Sequence, residues 1–539
     1  MKFFSCRFDK LAGKRAEKNC IKAGGQFMFI LKAAQETPIR VPSLARERRQ
    51  NVKRQRSFPY GAKPYLLKNL NFRALLIVLD SAGAGQMPKH PRRDTGCNTI
   101  PNVAERYRQE TGQEIRLPNL GALGLGNLAN IPGVPPAANP AAAYRLLSLD
   151  PIPLTETTTS LWALGGVETG ELVTYPSGIP AEIMGQIEDA IKQILPTPVT
   201  FIKDGRNISG TAIIEEQGLQ SQRQYGNRPI VYTSSDSVFQ VAFFVGREVS
   251  SREERLPDGH SIIEEIEAGT SKFFLVSDEA VAKMQDICRT IRKVMDESGD
   301  PALKFLRVIA RPFVERLTPG PQGEKYIRSA TLRQDLTATV PGQTILDAAT
   351  KKGFHTVGIG KFAEVFGFKG FGSILPDPFR HTTDIDAIDL VVQALSGRGA
   401  GIVGADLVEL DERYGHRNDP LGYAEQLMRI DAALPRIFSA MEPTDICLIT
   451  ADHGNDPTRG LASGDEYRIR GTNHTREFVP LLVFGNMIRG GVDLGYGRLS
   501  DVAASIAYFL GMRYQTNGTN FLNRILDRSV FKFADEGAD

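Results

Sequence analysis

Cysteine is scarce in this 539-residue chain, and its five cysteines are widely scattered. No two of them stand at the close spacing of a thiolate zinc site, and they are too few for a disulfide framework. A continuous apolar run of about 20 residues, the length that crosses a bilayer, is also absent. These absences argue against a disulfide-stapled domain, a cysteine zinc site and a membrane-spanning protein, and we expect a reduced, cytoplasmic setting.

Excess positive charge is confined to the first 70 residues. Residues 1–70 contain 17 Lys and Arg against 4 Asp and Glu, so residues 71–539 carry a net charge of −10 in a chain whose total is +3. An acidic body of this kind is not expected to bind nucleic acid. The basic segment lacks the apolar periodicity of a core element, and we expect a disordered extension. A targeting or polyanion-binding arm is the alternative.

Patterns of buried strands and amphipathic helices alternate in two stretches of the chain, which predicts a mainly parallel sheet flanked by helices. The first strand is the apolar run RALLIVLD at 73–80, and the alternation resumes after Gly342. The intervening part mixes strand-like segments with a long helical pattern at 277–297. The sequence therefore predicts an α/β core, with an α+β cap domain inserted into it. The predicted boundaries are 1–70 for the extension, 71–171 and 341–539 for the core, and 172–340 for the cap.

Acidic residues and histidines stand just after three of the predicted core strands and just before a fourth. The carboxyl ends of parallel strands meet at one sheet edge, so we expect these side chains to converge. Converging carboxylates repel one another unless cations lie between them, and oxygen and imidazole ligands suit Mn²⁺, Mg²⁺, Zn²⁺ or Fe²⁺. Singly, each residue could equally be a helix cap or a structural histidine. The candidates are Asp80, Asp411, His416, Asp452, His453 and His474.

A cluster of threonines and serine precedes an apolar run within residues 148–166. Such a cluster is typical of a helix N-terminus, whose free amide groups can hold a phosphate. Thr157 is therefore either a helix cap or a nucleophile activated by metal.

Eight segments of the chain resemble the phosphopentomutase family of the alkaline phosphatase superfamily, and the likeness extends over residues 73–525. In order, they are LIVLDSAGAG, LPNLGALGLGNL, YTSSDSVFQ, RVIARPFV, GIGK, DERYGHRNDPLGY, LITADHGNDP and GTNHTREFVPLLVFG. The resemblance implies an alkaline-phosphatase-like core, and an isomerase that interconverts pentose 1-phosphate and pentose 5-phosphate.

The resemblance also implies roles for individual residues. One divalent ion, in this family Mn²⁺, would be held by Asp411, His416 and His474, and a second by Asp80, Asp452 and His453. Thr157 would carry the phosphoryl group, and a sugar bisphosphate would be a possible activator. The residues facing the pentose phosphate would be Ser234, Asp236, Arg307 and Lys361.

The segment around Thr157 departs from the family pattern. The family reads KDTxTGHWE, whereas residues 155–163 read TETTTSLWA, without the lysine, the histidine or the glutamate. Three interpretations therefore stay open: a phosphomutase, a phosphatase or phosphodiesterase of the same superfamily, and a catalytically silent binding protein that keeps the fold.

Overall fold

The structure is a computed structural model. It describes residues 72–527 apart from 171, 235–236, 253–255, 268–269, 322, 378–381, 398, 400 and 460–472. The basic extension predicted at 1–70 lies outside the described residues, and so does Asp236. Within the described ranges, no helix has the length and apolar character that a membrane crossing requires.

Helices and strands alternate along most of the described chain. The strands are β1 (Arg73–Leu79), β2 (Ala143–Ser148), β3 (Ile202–Asn207), β4 (Ile230–Thr233), β5 (Val238–Val249), β6 (His260–Glu267), β7 (Thr270–Ser277), β8 (Arg307–Glu315), β9 (Tyr326–Arg328), β10 (Gln334–Thr337), β11 (His355–Ile359), β12 (Ser373–Leu375), β13 (Gly401–Leu407), β14 (Ile446–Thr450), β15 (Val479–Phe484) and β16 (Asp493–Arg498). The α-helices are α1 (Thr99–Thr111), α2 (Pro118–Leu123), α3 (Thr157–Leu164), α4 (Ala181–Lys192), α5 (Gly210–Leu219), α6 (Asp278–Glu297), α7 (Ile345–Lys351), α8 (Lys361–Val365), α9 (Asp384–Ser396), α10 (Pro420–Ala440) and α11 (Ser500–Phe509).

The first sheet has the strand order β12-β11-β13-β1-β14-β15-β2-β16. The neighbours from β12 to β14 are parallel, and β15 runs antiparallel to both β14 and β2. The central strand β1 is buried along its whole length, as its uninterrupted apolar sequence requires. The predicted α/β fold with a mainly parallel sheet flanked by helices is thus confirmed.

The second sheet is built from β3 to β10, and its central strands have the order β10-β8-β5-β4-β3. Within the strand-like segments expected in this part of the chain, β4 and β5 follow one another and pair antiparallel. All strands of this sheet fall within the predicted cap, 172–340, although the domain boundaries themselves stay a prediction.

Helix α6 shows how local sequence positions the second sheet. Ser277 accepts a hydrogen bond from the backbone of Ala280 and caps the helix, and acidic residues in the first turn favour the helix dipole. Met284, Ile287 and Ile291 lie on one face and join the buried cluster under this sheet. Full burial of each such side chain contributes about 1.5–3 kcal/mol to folding.

Candidate metal centre

One edge of the first sheet collects the residues predicted as metal ligands. Asp80 directly follows β1, and Asp452 and His453 follow the neighbouring strand β14. Asp411 lies in a π-helical turn shortly after β13. Because β15 is antiparallel to β14, its beginning lies at the same edge, and His474 stands just before it.

The first group, here called the outer cluster, consists of Asp411, His416 and His474. The Oδ2 atom of Asp411 is 2.9 Å from Nε2 of His416 and 3.6 Å from Nε2 of His474, and the two Nε2 atoms are 3.2 Å apart. The other carboxylate oxygen of Asp411 accepts a hydrogen bond from the Asn455 amide at 2.7 Å. Three possible ligand atoms therefore converge on one point.

The charges of the outer cluster compensate one another. Burial alone would raise the pKa of Asp411, but His474 and His416 hold it well below its usual value. For His474, burial acts to lower the pKa, and the carboxylate of Asp411 outweighs it and raises the pKa to about 9. The carboxylate is thus paired with imidazoles before any metal is considered.

The second group, here called the inner cluster, consists of Asp80, Asp452 and His453, all completely buried. Nε2 of His453 lies 3.2 Å from Oδ2 of Asp452 and 3.8 Å from Oδ1 of Asp80. Oδ1 of Asp452 accepts hydrogen bonds from the backbone N–H groups of Ser81 and His453, at 3.0 and 2.9 Å. This backbone grip fixes the direction of the Asp452 carboxylate.

Several inner-cluster atoms lack a hydrogen-bond partner in the described part of the chain, namely Oδ1 of Asp80, Oδ2 of Asp452 and Nδ1 of His453. Burial, followed by the charge of Asp452, raises the pKa of Asp80 well above its usual value. Burial likewise raises the pKa of Asp452 and lowers that of His453. Two unpaired carboxylate oxygens and a neutral imidazole in a buried pocket match the needs of a divalent cation.

The two clusters adjoin each other. The rings of His453 and His474 stack with their centres 3.8 Å apart. One possible ligand atom each from Asp411, His416 and His474 lie within 4.8 Å of one another, and the same holds for Asp80, Asp411 and His453. The second of these groups contains Asp411 where the resemblance implies Asp452, so Asp411 stands between both clusters.

Thr157 lies at the junction of the clusters. It begins helix α3, and the N-cap residue is Glu156, so the cap role considered for Thr157 is wrong. Its hydroxyl Oγ1 lies 3.1 Å from Nε2 of His453, and the preceding Thr155 carbonyl is 3.0 Å from Nδ1 of His474. The hydroxyl thus stands in the partial positive field of the helix N-terminus and contacts the inner cluster, whereas the backbone two residues earlier contacts the outer cluster.

The predicted substrate residues occupy different places. Lys361 begins α8 and lies 3.0 Å from Oδ2 of Asp80, so it belongs to the inner cluster's surroundings. Although burial acts to lower it, the pKa of Lys361 is raised well above its usual value by Asp80 and the acidic residues around it. Arg307 begins β8 of the second sheet and pairs with Glu156 at 2.9 Å. Ser234 follows β4, and its described contact is local.

Two polar residues at this sheet edge were not predicted from the sequence. Asn455, three residues after Asp452, holds the Asp411 carboxylate. Asp406, near the end of β13, is buried, and burial raises its pKa well above the usual value. Asn455 falls within the ADHGNDP segment, whereas the apolar context of Asp406 hides it.

Comparisons with known proteins identify the family of the chain. Residues 355–514 match the family model of the Metalloenzyme superfamily. Phosphopentomutase from Alkaliphilus metalliredigens is 34% identical over 459 residues, which cover 84% of this chain and 99% of the relative. Phosphopentomutase from Symbiobacterium thermophilum is also 34% identical over 459 residues, 84% of this chain and 98% of the relative.

Among solved structures, phosphoglycerate mutase from Leishmania mexicana is similar with a TM-score of 0.41 and 13% identity, over 83% of this chain and 97% of that one. The relatives above carry the assignment, because they match nearly their whole length at more than 30% identity. The chain belongs to the phosphopentomutase family of isomerases.

Proposed function

We propose that this enzyme is a two-metal phosphomutase that interconverts pentose 1-phosphate and pentose 5-phosphate, with ribose or deoxyribose as the sugar, through a phosphothreonine at Thr157. The observation that carries the proposal is the position of the Thr157 hydroxyl. It is buried at a helix N-terminus and lies 3.1 Å from Nε2 of His453, whose ring stacks on that of His474 in the outer cluster. Relatives named phosphopentomutase at 34% identity support the substrate class.

The proposed cofactors are two divalent ions, Mn²⁺ by analogy with the family. The outer cluster would hold one and the inner cluster the other, since the latter's unpaired carboxylate oxygens need a positive charge. When bound, the ions supply Lewis-acid stabilisation of phosphoryl oxygens and favour the alkoxide form of a hydroxyl.

The proposed reaction consists of two phosphoryl transfers. A pentose hydroxyl oxygen bonds to phosphorus, the bond from phosphorus to Thr157 Oγ1 breaks, and the sugar's proton ends on the Thr157 hydroxyl. In the reverse sense, Thr157 takes the phosphoryl group from the other end of the resulting sugar bisphosphate. The free N–H groups at the start of α3 are placed to hold phosphoryl oxygens during both transfers.

Water must be excluded from the phosphothreonine if the phosphoryl group is to be transferred to the sugar and not hydrolysed. Arg307 of the second sheet contacts Glu156, next to Thr157, so the second sheet reaches the nucleophile. We assign this sheet the role of a cap that closes over the sugar, with Ser234 and Asp236 as further substrate residues. A sugar bisphosphate activator would form the phosphothreonine, and we place the enzyme in the cytoplasm.

The test is turnover of ribose 5-phosphate with Mn²⁺, in which ribose 1-phosphate and free phosphate are both measured. We expect isomer without stoichiometric phosphate release, and a phosphoryl group on the Thr157 peptide by mass spectrometry. Thr157→Ala should abolish both, whereas Thr158→Ala, at the neighbouring buried threonine, is the matched control. Isomer formation by Thr157→Ala at the wild-type rate would contradict the proposal.

A phosphatase is the second candidate because the second turn of helix α3 lacks two polar side chains that the family pattern has after the threonine. Leu161 and Ala163 replace the histidine and the glutamate, and both are buried in the core. Release of phosphate from ribose 5-phosphate without any isomer would favour this activity. A wild-type protein that binds no metal and neither isomerises nor hydrolyses ribose 5-phosphate would instead favour the catalytically silent binding protein.

A further inference from the structure

Glu477 is a completely buried carboxylate beside the proposed metal ligands, but it is not one of them. Its Oε2 atom accepts a hydrogen bond from the backbone N–H of Thr99 at 2.7 Å. Its Oε1 atom accepts from the hydroxyl groups of Thr99 at 2.7 Å and Thr475 at 2.5 Å. Burial, followed by the charge of Asp456, raises the pKa of Glu477 to about 8. A carboxyl group in such surroundings is costly for folding, so its contacts should serve the site.

Two glycines make room for this carboxylate. A Cβ atom at Gly83 would overlap Oε2 of Glu477, and one at Gly454 would overlap Oε1. Gly83 lies three residues after Asp80, and Gly454 directly follows His453. Glu477 therefore packs directly on the two loops that carry the inner cluster.

A third loop is joined at the same place through Thr475, which directly follows His474. The Thr475 N–H donates to the Gly454 carbonyl at 2.6 Å, and the Gly454 N–H donates back at 3.1 Å. On the other side, the Ala84 N–H donates to the Phe478 carbonyl at 2.8 Å. One side chain thus touches the three loops that supply four of the six proposed ligands.

We propose that Glu477 is a positioning residue whose carboxylate fixes the spacing of these three loops and thereby sets the metal affinity of the centre. It acts through hydrogen bonds and shape. A glutamine can present its carbonyl oxygen to the Thr99 N–H and donate its amide hydrogens to the two hydroxyl oxygens, which accept as well as donate. The inference rests on the metal binding of the proposed function.

The test is Mn²⁺ binding to metal-free protein, measured by calorimetry. Residues that orient metal ligands typically change metal affinity by 10- to 100-fold when replaced, so we expect Glu477→Ala to raise the Kd for Mn²⁺ about tenfold or more. Glu477→Gln should keep a Kd close to the wild-type value. Hydrogen exchange of the metal-free protein should show faster exchange at Thr475 and Gly454 in Glu477→Ala alone.

Asp431→Ala is the matched control for lost stability. Asp431 is also completely buried, and it caps α2 by accepting hydrogen bonds from the backbone of Leu120 at 2.7 Å and Asn119 at 3.2 Å. Loss of such a cap destabilises the folded protein. We expect this variant to melt earlier than wild type but to bind Mn²⁺ with an unchanged Kd.

The outcomes separate the inference from the function beneath it. Wild-type protein that binds no Mn²⁺ would overturn the proposed function and this inference together. If the wild-type protein binds Mn²⁺, two results would overturn the inference alone. One is a Kd for Mn²⁺ in Glu477→Ala equal to that of the wild type. The other is a Kd in Glu477→Gln as high as that in Glu477→Ala. Should Glu477→Ala fail to fold, Thr99→Val removes a single hydroxyl donor, and it is expected to weaken Mn²⁺ binding. An unchanged Kd in folded Thr99→Val would also refute the positioning role.

Discussion

The outer and inner clusters lie at the same sheet edge, yet their charges are arranged in opposite ways. In the outer cluster the Asp411 carboxylate is already paired with two histidines, which lower its pKa. In the inner cluster Asp80 and Asp452 each keep an unpaired oxygen, and burial raises both pKa values. The outer cluster is therefore internally balanced, whereas in the inner cluster the single ammonium group of Lys361 lies against two buried carboxylates and does not balance both of them.

The largest expected effect comes from removing one carboxylate of either cluster. Asp452→Asn and Asp411→Asn should each lose one bound ion and lower turnover by about 10³-fold, since an ion contributes several kcal/mol to transition-state stabilisation. Metal content of the purified variants and ribose 5-phosphate turnover check this. Asp389→Asn is the control, because Asp389 is exposed and pairs with Arg436 on the protein surface. Two ions with intact turnover in either ligand variant would contradict the prediction.

Metal removal should have the next largest effect. Ligand binding to the native state at a hundredfold excess over Kd stabilises a protein by about 2.7 kcal/mol. We expect chelation to lower Tm by several degrees. Most of this decrease should come from removal of the ion of the inner cluster. In Asp452→Asn the chelator should therefore shift Tm less than in Asp411→Asn, as a thermal scan with and without chelator would show. Equal shifts would mean that the clusters depend equally on their ions.

Variants of the two clusters should differ most in stability when the protein is free of metal. There Asp411→Asn removes a charged partner of two imidazoles, and it should destabilise the protein by about 1.5–3 kcal/mol. Asp452→Asn removes an uncompensated buried charge, so it should leave stability unchanged or raise it. Urea unfolding of the two chelated variants measures this difference. A larger loss of stability in Asp452→Asn would break the contrast between the clusters.

Lys361 gives the smallest expected effect. Its ammonium group lies 3.0 Å from Asp80 and competes with a cation for that carboxylate. Lys361→Met should therefore tighten Mn²⁺ binding at the inner cluster by about fivefold, equivalent to ~1 kcal/mol of Coulomb repulsion removed. Calorimetric titration of His416→Ala with and without Lys361→Met isolates that site, because His416 belongs to the outer cluster. Weaker binding in the double variant would show that Lys361 supports the ion.

The sheet edge could be predicted from the sequence because its signals are local. Asp80 and Asp452 each follow a short apolar run, and the rules of parallel sheets bring such strand ends together. β2 was missed because its six residues include the buried Arg145, whose charge is compensated by Asp501 far along the chain. The charged residue in the middle of its buried face interrupts the apolar alternation that would mark a strand.

The roles of single residues depended on contacts that no local pattern records. The sequence left Thr157 as either a cap or a nucleophile, and the extended backbone of Glu156 places the N-cap one residue earlier. Glu477 stands inside a segment that the resemblance already included. Its main partner, Thr99, is 378 positions away, so its function as a shared contact could not be predicted.

The position of β1 at the centre of the sheet also affects how the chain folds during its synthesis. Both of its neighbours come late, since Arg73 pairs with Gly401 and Ala74 with Ile446. At a synthesis rate of 5–20 residues per second, the earliest apolar strand waits on the order of 20–60 s on the ribosome for them. A nascent chain cut off before residue 400 would keep both edges of β1 bare and ready to pair with another chain. Premature termination should therefore yield fragments that aggregate unless chaperones keep them soluble, and not a smaller active enzyme.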